Sequence, residues 1–401
     1  MNRIIKISIQ YMLLLGFVGA LQAQTILSEK AAIALALQNH PAVQASELEV
    51  KRQQTLRGAA ASWDPAQIYQ NTTADPDLGM FGTVALGIQQ NFPSARQTAA
   101  TRARFDRLAQ VAQARGKLTR REITRQVREI YQHLSYLNSK TMLLNRLDSL
   151  YNRTAAMGAE RYQRGDADLA EKLSIENQAQ RIRLEKETVG HEIAFDQVVL
   201  GQLLGLGGSV QPLVEPLQYR SFSLADTALL SRSARALVSS SLVDLARADE
   251  YMERSKKRPT ISAAAYGQYL ANGLVYPGWQ VGVNVPLARK SLQKQVEAAA
   301  LATNTAEAEY RNQLLNQASE MAHLLHEQEK YDILIAYYNE KGRVLSAELL
   351  RNAELNYRLG ERDYTDFVRA ANQAAGIEME YLENLYQLNL TVLALQAITE
   401  Q

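Results

Sequence analysis

The run Thr83-Val84-Ala85-Leu86-Gly87-Ile88-Gln89-Gln90-Asn91-Phe92-Pro93 places Val84, Leu86, Ile88 and Phe92 on one face of an extended chain. Thr83, Ala85, Gly87, Gln89 and Asn91 fall on the other. A second run, Trp279-Gln280-Val281-Gly282-Val283-Asn284-Val285-Pro286, alternates in the same way, with Trp279, Val281, Val283 and Val285 together. Side chains of a strand point alternately to opposite faces, so both runs read as strands with one apolar face and one polar or small face. Each closes on a proline and opens a long proline-free stretch. Each stretch then breaks at a tyrosine–glycine turn, Tyr162-Gln163-Arg164-Gly165 and Tyr357-Arg358-Leu359-Gly360. The step from Pro93 to Pro286 nearly equals the step from Gly165 to Gly360. Spacing kept over such a distance marks a tandem duplication of one unit: helix, hairpin, long helix, turn, helix.

The chain has 401 residues and no cysteine. Disulfides, thiolate metal sites, cysteine nucleophiles and a lipid-modified N-terminal cysteine are thereby excluded. Arg3 and Lys6 precede an apolar stretch from Tyr11 to Leu21 and the small-residue site Leu21-Gln22-Ala23, which reads as a signal peptide over residues 1–23. The formal net charge is +2, two positive charges lie in that leader, and no basic patch follows, which argues against nucleic acid as a partner. Downstream there is no apolar run of about 20 residues, the length a membrane-spanning helix needs. Two options remain, a soluble exported protein or a β-barrel membrane protein.

Each strong strand has a weaker partner upstream, Gln67–Thr73 and Ile261–Tyr269, giving hairpins over 66–93 and 259–286. Turn formers lie between the partners: Asp75-Pro76-Asp77-Leu78-Gly79 in the first hairpin, Asn272-Gly273 and Pro277-Gly278 in the second. Tyr69, Phe81, Phe92, Tyr266, Tyr269, Tyr276 and Trp279 stand near strand ends, where a membrane–water girdle would lie. A half-buried soluble sheet alternates identically. The membrane reading carries an extra demand, because four strands close no barrel and an open edge in lipid leaves N–H and C=O groups unpaired. Several chains must then pool strands, and three copies would supply twelve.

From about Ala95 to Ala156 there is no proline and one glycine, Gly116; from about Leu287 to Tyr357 again no proline, and only Gly342. Roughly 60 helical residues span on the order of 90 Å, about three times the hydrocarbon thickness of a bilayer. Leu292, Val296, Ala299, Ala302, Ala306, Tyr310 and Leu314, and later Leu324, Tyr331, Leu334, Tyr338, Leu345 and Leu349, recur at steps of three and four. They form a coiled-coil-like seam. Return helices are expected from about Leu169 to Leu204 and from Tyr364 to Ile398, and shorter helices over Ala31–Ser62 and Thr227–Lys257. The domains read as a first repeat over 24–208, a linker over 209–226 and a second repeat over 227–401. The glycine-rich Gly205-Leu206-Gly207-Gly208-Ser209 follows a helix and has no Lys-Ser/Thr end, so it implies no phosphate loop.

In this order of elements the chain resembles the TolC-like family of bacterial outer-membrane efflux proteins. The sharpest motifs are the turns Arg161-Tyr162-Gln163-Arg164-Gly165-Asp166-Ala167-Asp168 and Asn356-Tyr357-Arg358-Leu359-Gly360-Glu361-Arg362-Asp363, with His40-Pro41-Ala42-Val43 and Leu203-Leu204-Gly205. The resemblance implies a mainly α fold with a small β part. Long helices form a coiled-coil α-barrel in the periplasm, and four strands per chain contribute to a trimeric, 12-stranded transmembrane β-barrel. It implies an outer-membrane duct of a tripartite efflux or type I secretion system. The partners would be a homotrimer, a periplasmic adaptor, an inner-membrane pump of the resistance-nodulation-division type, and outer-membrane lipid. A periplasmic gate is implied at Tyr357, Arg362, Asp366 and Glu171. A further acid of the family pattern is Arg369 here.

The same turns suggest an adaptor-facing surface at Arg161, Tyr162, Gly165, Leu359 and Gly360. Asp166, Asp168, Glu361 and Asp363 suggest an acidic pore mouth that favours cations, although acids also suit a helix first turn. His323 and His326 read as polar helix positions. Without a nucleophile–base pair, an HExxH motif, a phosphate loop or a metal cluster, no enzyme, catalytic residue, cofactor or bound metal is expected. The alternative function is an exported periplasmic coiled-coil scaffold without transport activity.

Overall fold

The computed structural model describes residues 27–61, 63–75, 80–223, 227–270 and 273–399. The leader, the Asp75–Gly79 turn beyond Asp75, and Asn272 lie outside the described residues, as do the positions of the Tyr11–Leu21 stretch. In chain order the elements are α1 (Glu29–Asn39), α2 (Pro41–Gly58), β1 (Gln67–Asp75), β2 (Met80–Phe92), α3 (Ala95–Arg164) and α4 (Leu169–Leu203). There follow α5 (Ala234–Ser255), β3 (Thr260–Leu270), β4 (Val275–Asn284), α6 (Arg289–Tyr337), a π-turn (Tyr338–Gly342), α7 (Arg343–Leu359) and α8 (Tyr364–Thr399). The chain divides into two compact units, one made of residues 1–40, 122–223 and 324–395, the other of residues 41–121, 224–323 and 396–401.

Local chemistry sets the element ends. Asp168 Oδ1 accepts from the Glu171 N–H at 2.7 Å and Asp363 Oδ1 from the Asp366 N–H at 2.8 Å, so an aspartate caps each return helix. Ser94 and Gln97 form a reciprocal capping box at the start of α3: Ser94 Oγ accepts from the Gln97 N–H, and Gln97 Oε1 accepts from the Ser94 N–H. The single helix expected over Ala31–Ser62 is two helices. Pro41 has no N–H to donate, and His40 before it is extended (φ −64°, ψ 127°), as a residue preceding proline prefers. The second long stretch is interrupted by the π-turn, where Gly342 packs against Tyr338 and Ile377 with room for no more than a tight methyl group.

In the first unit, four helices share one core. Leu137, Leu144, Leu147 and Tyr151 of α3 meet Ile175, Ala179, Ile182 and Val189 of α4, Ala353 and Tyr357 of α7, and Tyr364, Phe367 and Ala371 of α8. The segment joining the two repeats is bound down along its length. Leu27 N–H donates to Gln211 O and Leu213 N–H to Leu27 O. Ser139 Oγ accepts from Leu217 N–H. The fully buried Asn389 accepts from Arg220 N–H and donates to Gln218 O and Gln132 Oε1.

In the second unit, the four strands make one antiparallel sheet in the order β1-β2-β3-β4, with the two hairpins joined through β2 and β3. Beside it, α2, α5 and parts of α3 and α6 pack through small or short residues such as Val43, Ala100, Val111, Val243 and Ala248. Arg104–Asp249, Arg107–Asp244 and Arg247–Glu307 pairs border them. The seam of α6 buries Thr303 and Gln317 where the apolar repeat alone would place alanine and leucine. Gln317 Nε2 donates to Ser233 Oγ at 2.9 Å, which satisfies the buried amide.

Candidate functional site

Two places carry the sequence expectations, the interhelical turns of the first unit and the sheet of the second. The turns are built alike. In the first, Gly165 (φ 80°) donates to Tyr162 O and Asp166 N–H to Arg161 O; in the second, Gly360 (φ 76°) donates to Tyr357 O and Glu361 N–H to Asn356 O. Each is a Schellman motif, in which a left-handed residue lets two helix-end carbonyls be satisfied. Glycine is needed at these two positions because a Cβ disfavours that backbone region.

The turns bring part of the expected gate together. Tyr357 is 1% exposed, sits edge-on or tilted against Tyr364 and Phe367, and donates its phenol proton to Glu171 Oε1 at 3.1 Å. Burial, reinforced by the Glu171 charge, raises its pKa to about 12, so at neutral pH it is a neutral donor. Arg161 completes the cluster. Its guanidinium carbon lies 5.2 Å from the Tyr357 ring centroid, and its Nη1 is 3.7 Å from Glu171 Oε1, buried and without a hydrogen-bond partner. The turn motif suggests Arg161 as an adaptor-facing residue; in the structure its guanidinium is instead engaged by Tyr357 and Glu171, partners that come to it only when the two turns are side by side.

Arg362 and Asp366 do not join this cluster. Arg362 donates to Asp366 at 3.2 Å within its own helix end, and Arg369 donates to the same carboxylate at 3.3 Å. Both arginines are largely exposed, so each pair is worth about 0–1 kcal/mol. Arg369 therefore takes up Asp366 as a cation where the family pattern has another acid. Tyr162 and Leu359 are exposed on the turns, with Lys172 Nζ 5.3 Å from the Tyr162 ring centroid. Among the acids, Asp168 and Asp363 are used as helix caps, while Asp166 and Glu361 are exposed.

The sheet sorts most of its residues by polarity, with Gln70, Thr72 and Gln90 the polar residues set among the apolar ones. Register places Ile68, Val84, Leu86, Ile88, Phe92, Ile261, Tyr269, Val275, Trp279, Val281 and Val283 on one face. That face is uncovered: Ile68 is 78% and Trp279 79% exposed, and Leu86, Ile261, Val281 and Val283 each lie above half. The opposite face carries Gln67, Tyr69, Asn71, Ala85, Gly87, Gln89, Asn91, Ser262, Ala264, Tyr266, Gln268, Gly278, Gln280, Gly282 and Asn284. This corrects the single aromatic girdle expected from the sequence. Tyr69, Tyr266 and Tyr276 lie on the polar face, opposite Phe92, Tyr269 and Trp279, because residues an odd number of steps apart on a strand point apart. The side chain of Phe81 lies outside the described residues.

No helix among the described residues is long and apolar enough to cross a membrane. No group of three or more His, Asp or Glu among them is placed to hold a metal ion.

No protein-family model and no curated protein sequence matches the chain. Solved structures do. The outer membrane protein VceC from the bacterial pathogen Vibrio cholerae superposes with a TM-score of 0.75 at 18% identity, over 92% of this chain and 96% of that one. A membrane protein from Pseudomonas aeruginosa gives 0.79 at 14% identity, over 92% and 93%. The Campylobacter jejuni CmeC outer membrane channel gives 0.74 at 13% identity, over 92% and 85%. Agreement over nearly the full length of both chains, with so little sequence in common, establishes that this protein has the fold of these membrane proteins, the fold its resemblance to the TolC-like family implies.

Proposed function

We propose that the chain is a TolC-family outer-membrane channel subunit: a trimeric duct for export across the outer membrane, with its helices in the periplasm. The observation that carries this reading is the sheet. Its apolar face is uncovered, its opposite face is polar or small, and its outermost strands, β1 and β4, each have a single neighbour among the described residues. Burying the apolar face in lipid removes from water side chains that a single chain leaves largely exposed. Lipid also demands that the two outer strand edges be paired. Both demands are met together when β4 of one copy pairs with β1 of the next, and twelve strands from three copies close a barrel with the polar face inward.

The helices support the same assembly. Leu169, Leu173, Leu184 and Phe195 of α4 form an apolar line that the chain leaves exposed, as do Ile333, Tyr337 and Val344 around the π-turn. Neighbouring copies would cover them. The VceC and CmeC structures, described as an outer membrane protein and an outer membrane channel, favour the same location and role for this fold.

At the turns, Tyr357, Glu171 and Arg161, with the Arg362–Asp366 pair, would hold the periplasmic end narrow. The exposed turn residues Tyr162, Gly165, Leu359 and Gly360 would meet an adaptor. Asp166, Asp168, Glu361 and Asp363 would favour cations at the mouth. An adaptor and a resistance-nodulation-division pump would supply energy and substrate choice. The duct itself needs a lumen and a gate and no reacting group. A water-borne scaffold would expose Trp279 and Ile68 to solvent at a cost of apolar hydration, which disfavours that alternative.

The test is direct. The full chain, extracted from outer membranes in detergent, should run as a trimer and form conducting pores in planar bilayers. A folded, monodisperse monomer that stays in solution without detergent and gives no pores would overturn the reading.

A further inference from the structure

One row of the sheet carries a pattern that the fold alone does not require. Tyr69, Gly87, Tyr266 and Gly278 are successive partners across all four strands, on the polar face. The rings do not stand up from the sheet. A Cβ placed on Gly87 would lie 2.7 Å from both Cζ and Oη of Tyr69, and 2.8 Å from Cβ of Tyr266 on the next strand. One placed on Gly278 would lie 2.5 Å from Cζ and 2.8 Å from Oη of Tyr266. Each ring therefore lies down over the backbone of the next strand and occupies the volume that a side chain there would fill. Both lean in the same sense, β1 onto β2 and β3 onto β4. Their Cβ-less seats are what allow it, since a strand residue other than glycine would push the ring end away from the sheet.

The surroundings are uncharged. Gln67, Asn71, Ala85, Gln89, Ala264, Gln268, Tyr276 and Gln280 flank the row on the same face. Amide and phenol groups offer dipoles to ions of either sign, so this row has no means of selecting by charge.

We propose that this tyrosine–glycine row is the size-setting element of the barrel lumen, in which the glycine seats fix how far the rings project inward. The inference rests on the channel reading above and adds to it a specificity-determining position. Three copies would place three Tyr69 rings at one height of the lumen and three Tyr266 rings at another, because the strands of a closed barrel tilt and a row of partners climbs around the axis. The row would filter solutes by bulk while leaving charge preference to other parts of the duct.

The experiment uses the full chain in planar bilayers, with potassium chloride as the conducted salt and a concentration gradient to read cation-to-anion preference. Measured both in native protein and with Tyr357→Phe and Arg362→Glu added, so that the periplasmic end is not limiting, Gly87→Val with Gly278→Val should lift the rings and lower single-channel conductance about twofold or more in at least the second background, with an unchanged reversal potential. Adding Tyr69→Ser and Tyr266→Ser to that variant should restore conductance to the native level or above. If the valine variant fails to assemble as a trimer, Gly87→Ala with Gly278→Ala is read in the same way, with a smaller drop. Pores with conductance insensitive to seat filling in both backgrounds would overturn the row's role and leave the channel reading intact. A shift in reversal potential would overturn the claim of charge neutrality. Native protein without any pores would bring down the channel reading and this inference with it.

Discussion

The phenol of Tyr357 donates a hydrogen bond to the carboxylate of Glu171 at 3.1 Å, across 186 residues of sequence and between the two repeat turns. The tyrosine is inside the core that α3, α4, α7 and α8 share, and its hydroxyl is the part that reaches the carboxylate. Arg161 lies over the same ring and near the same carboxylate. A cation, an anion and a neutral donor thus meet at the place where the two helical hairpins turn. Such a partly desolvated cluster resists separation more than exposed pairs do.

If this cluster and the Arg362–Asp366 pair hold the periplasmic end narrow, removing both should open it. Tyr357→Phe with Arg362→Glu should raise single-channel conductance about twofold or more in planar bilayers. Arg161→Gln should act in the same direction as Tyr357→Phe, because it removes the cation from the same carboxylate. Conductance equal to native in both variants would remove the gate from this account.

The parts of this architecture visible in the sequence were those set by local rules. Alternation at Thr83–Phe92 and Trp279–Val285 needs only the two-residue period of a strand, and Gly165 and Gly360 mark turns because few other residues take a positive φ. What stayed hidden depends on which elements become neighbours. Tyr69 and Tyr266 look like girdle residues until register sets them on the polar face over Gly87 and Gly278. Arg161 reads as an adaptor-facing turn residue until the second turn brings Tyr357 to it. The π-turn at Tyr338–Gly342 has no local signal at all, since Gly342 alone in a helix is common; the packing of Tyr338 on Tyr381, with ring centroids 3.9 Å apart, appears only in three dimensions.

The joining segment offers a stability test. Asn389 is fully buried and ties Gln132, Gln218 and Arg220 through three hydrogen bonds. Asn389→Ala leaves the buried Gln132 amide and the part-buried Gln218 carbonyl and Arg220 N–H without this partner, which costs about 1–3 kcal/mol. A fall in thermal midpoint should follow in detergent-solubilised protein, and the segment around residues 211–222 should become cleavable by added protease. A midpoint within error of native would show that the strap contributes little.

His133 gives a pH dependence. Its ring lies 2.6 Å from Asp196, with Tyr136 and Tyr386 packed beside it, and that hydrogen bond, helped by the Asp196, Glu192 and Glu383 charges, raises its pKa above the ordinary 6.5. The folded protein thus holds the proton more tightly than the unfolded chain. The contribution is complete below the ordinary value and is lost as pH climbs through the raised folded value. Thermal midpoints of native and His133→Gln protein should differ most near pH 5 and converge in mildly alkaline buffer. A gap that does not change with pH would assign the pair a packing role alone.

The orientation of the sheet can be read residue by residue, because the chain has no cysteine and any introduced thiol is the only one. Gln268 and Val281 lie on adjacent strands but on opposite faces. With the polar face lining water, Gln268→Cys in the assembled pore should react readily with a charged, water-soluble thiol reagent, and the added bulk should reduce conductance. Val281→Cys, facing hydrocarbon, should resist that reagent, because a thiolate forms poorly without water. It should become reactive once the protein is unfolded in sodium dodecyl sulfate, which shows that the thiol is present and only shielded. Equal reactivity at the two positions toward the charged reagent would mean that both faces are in water, and the barrel would have to be abandoned in favour of a sheet packed in solution.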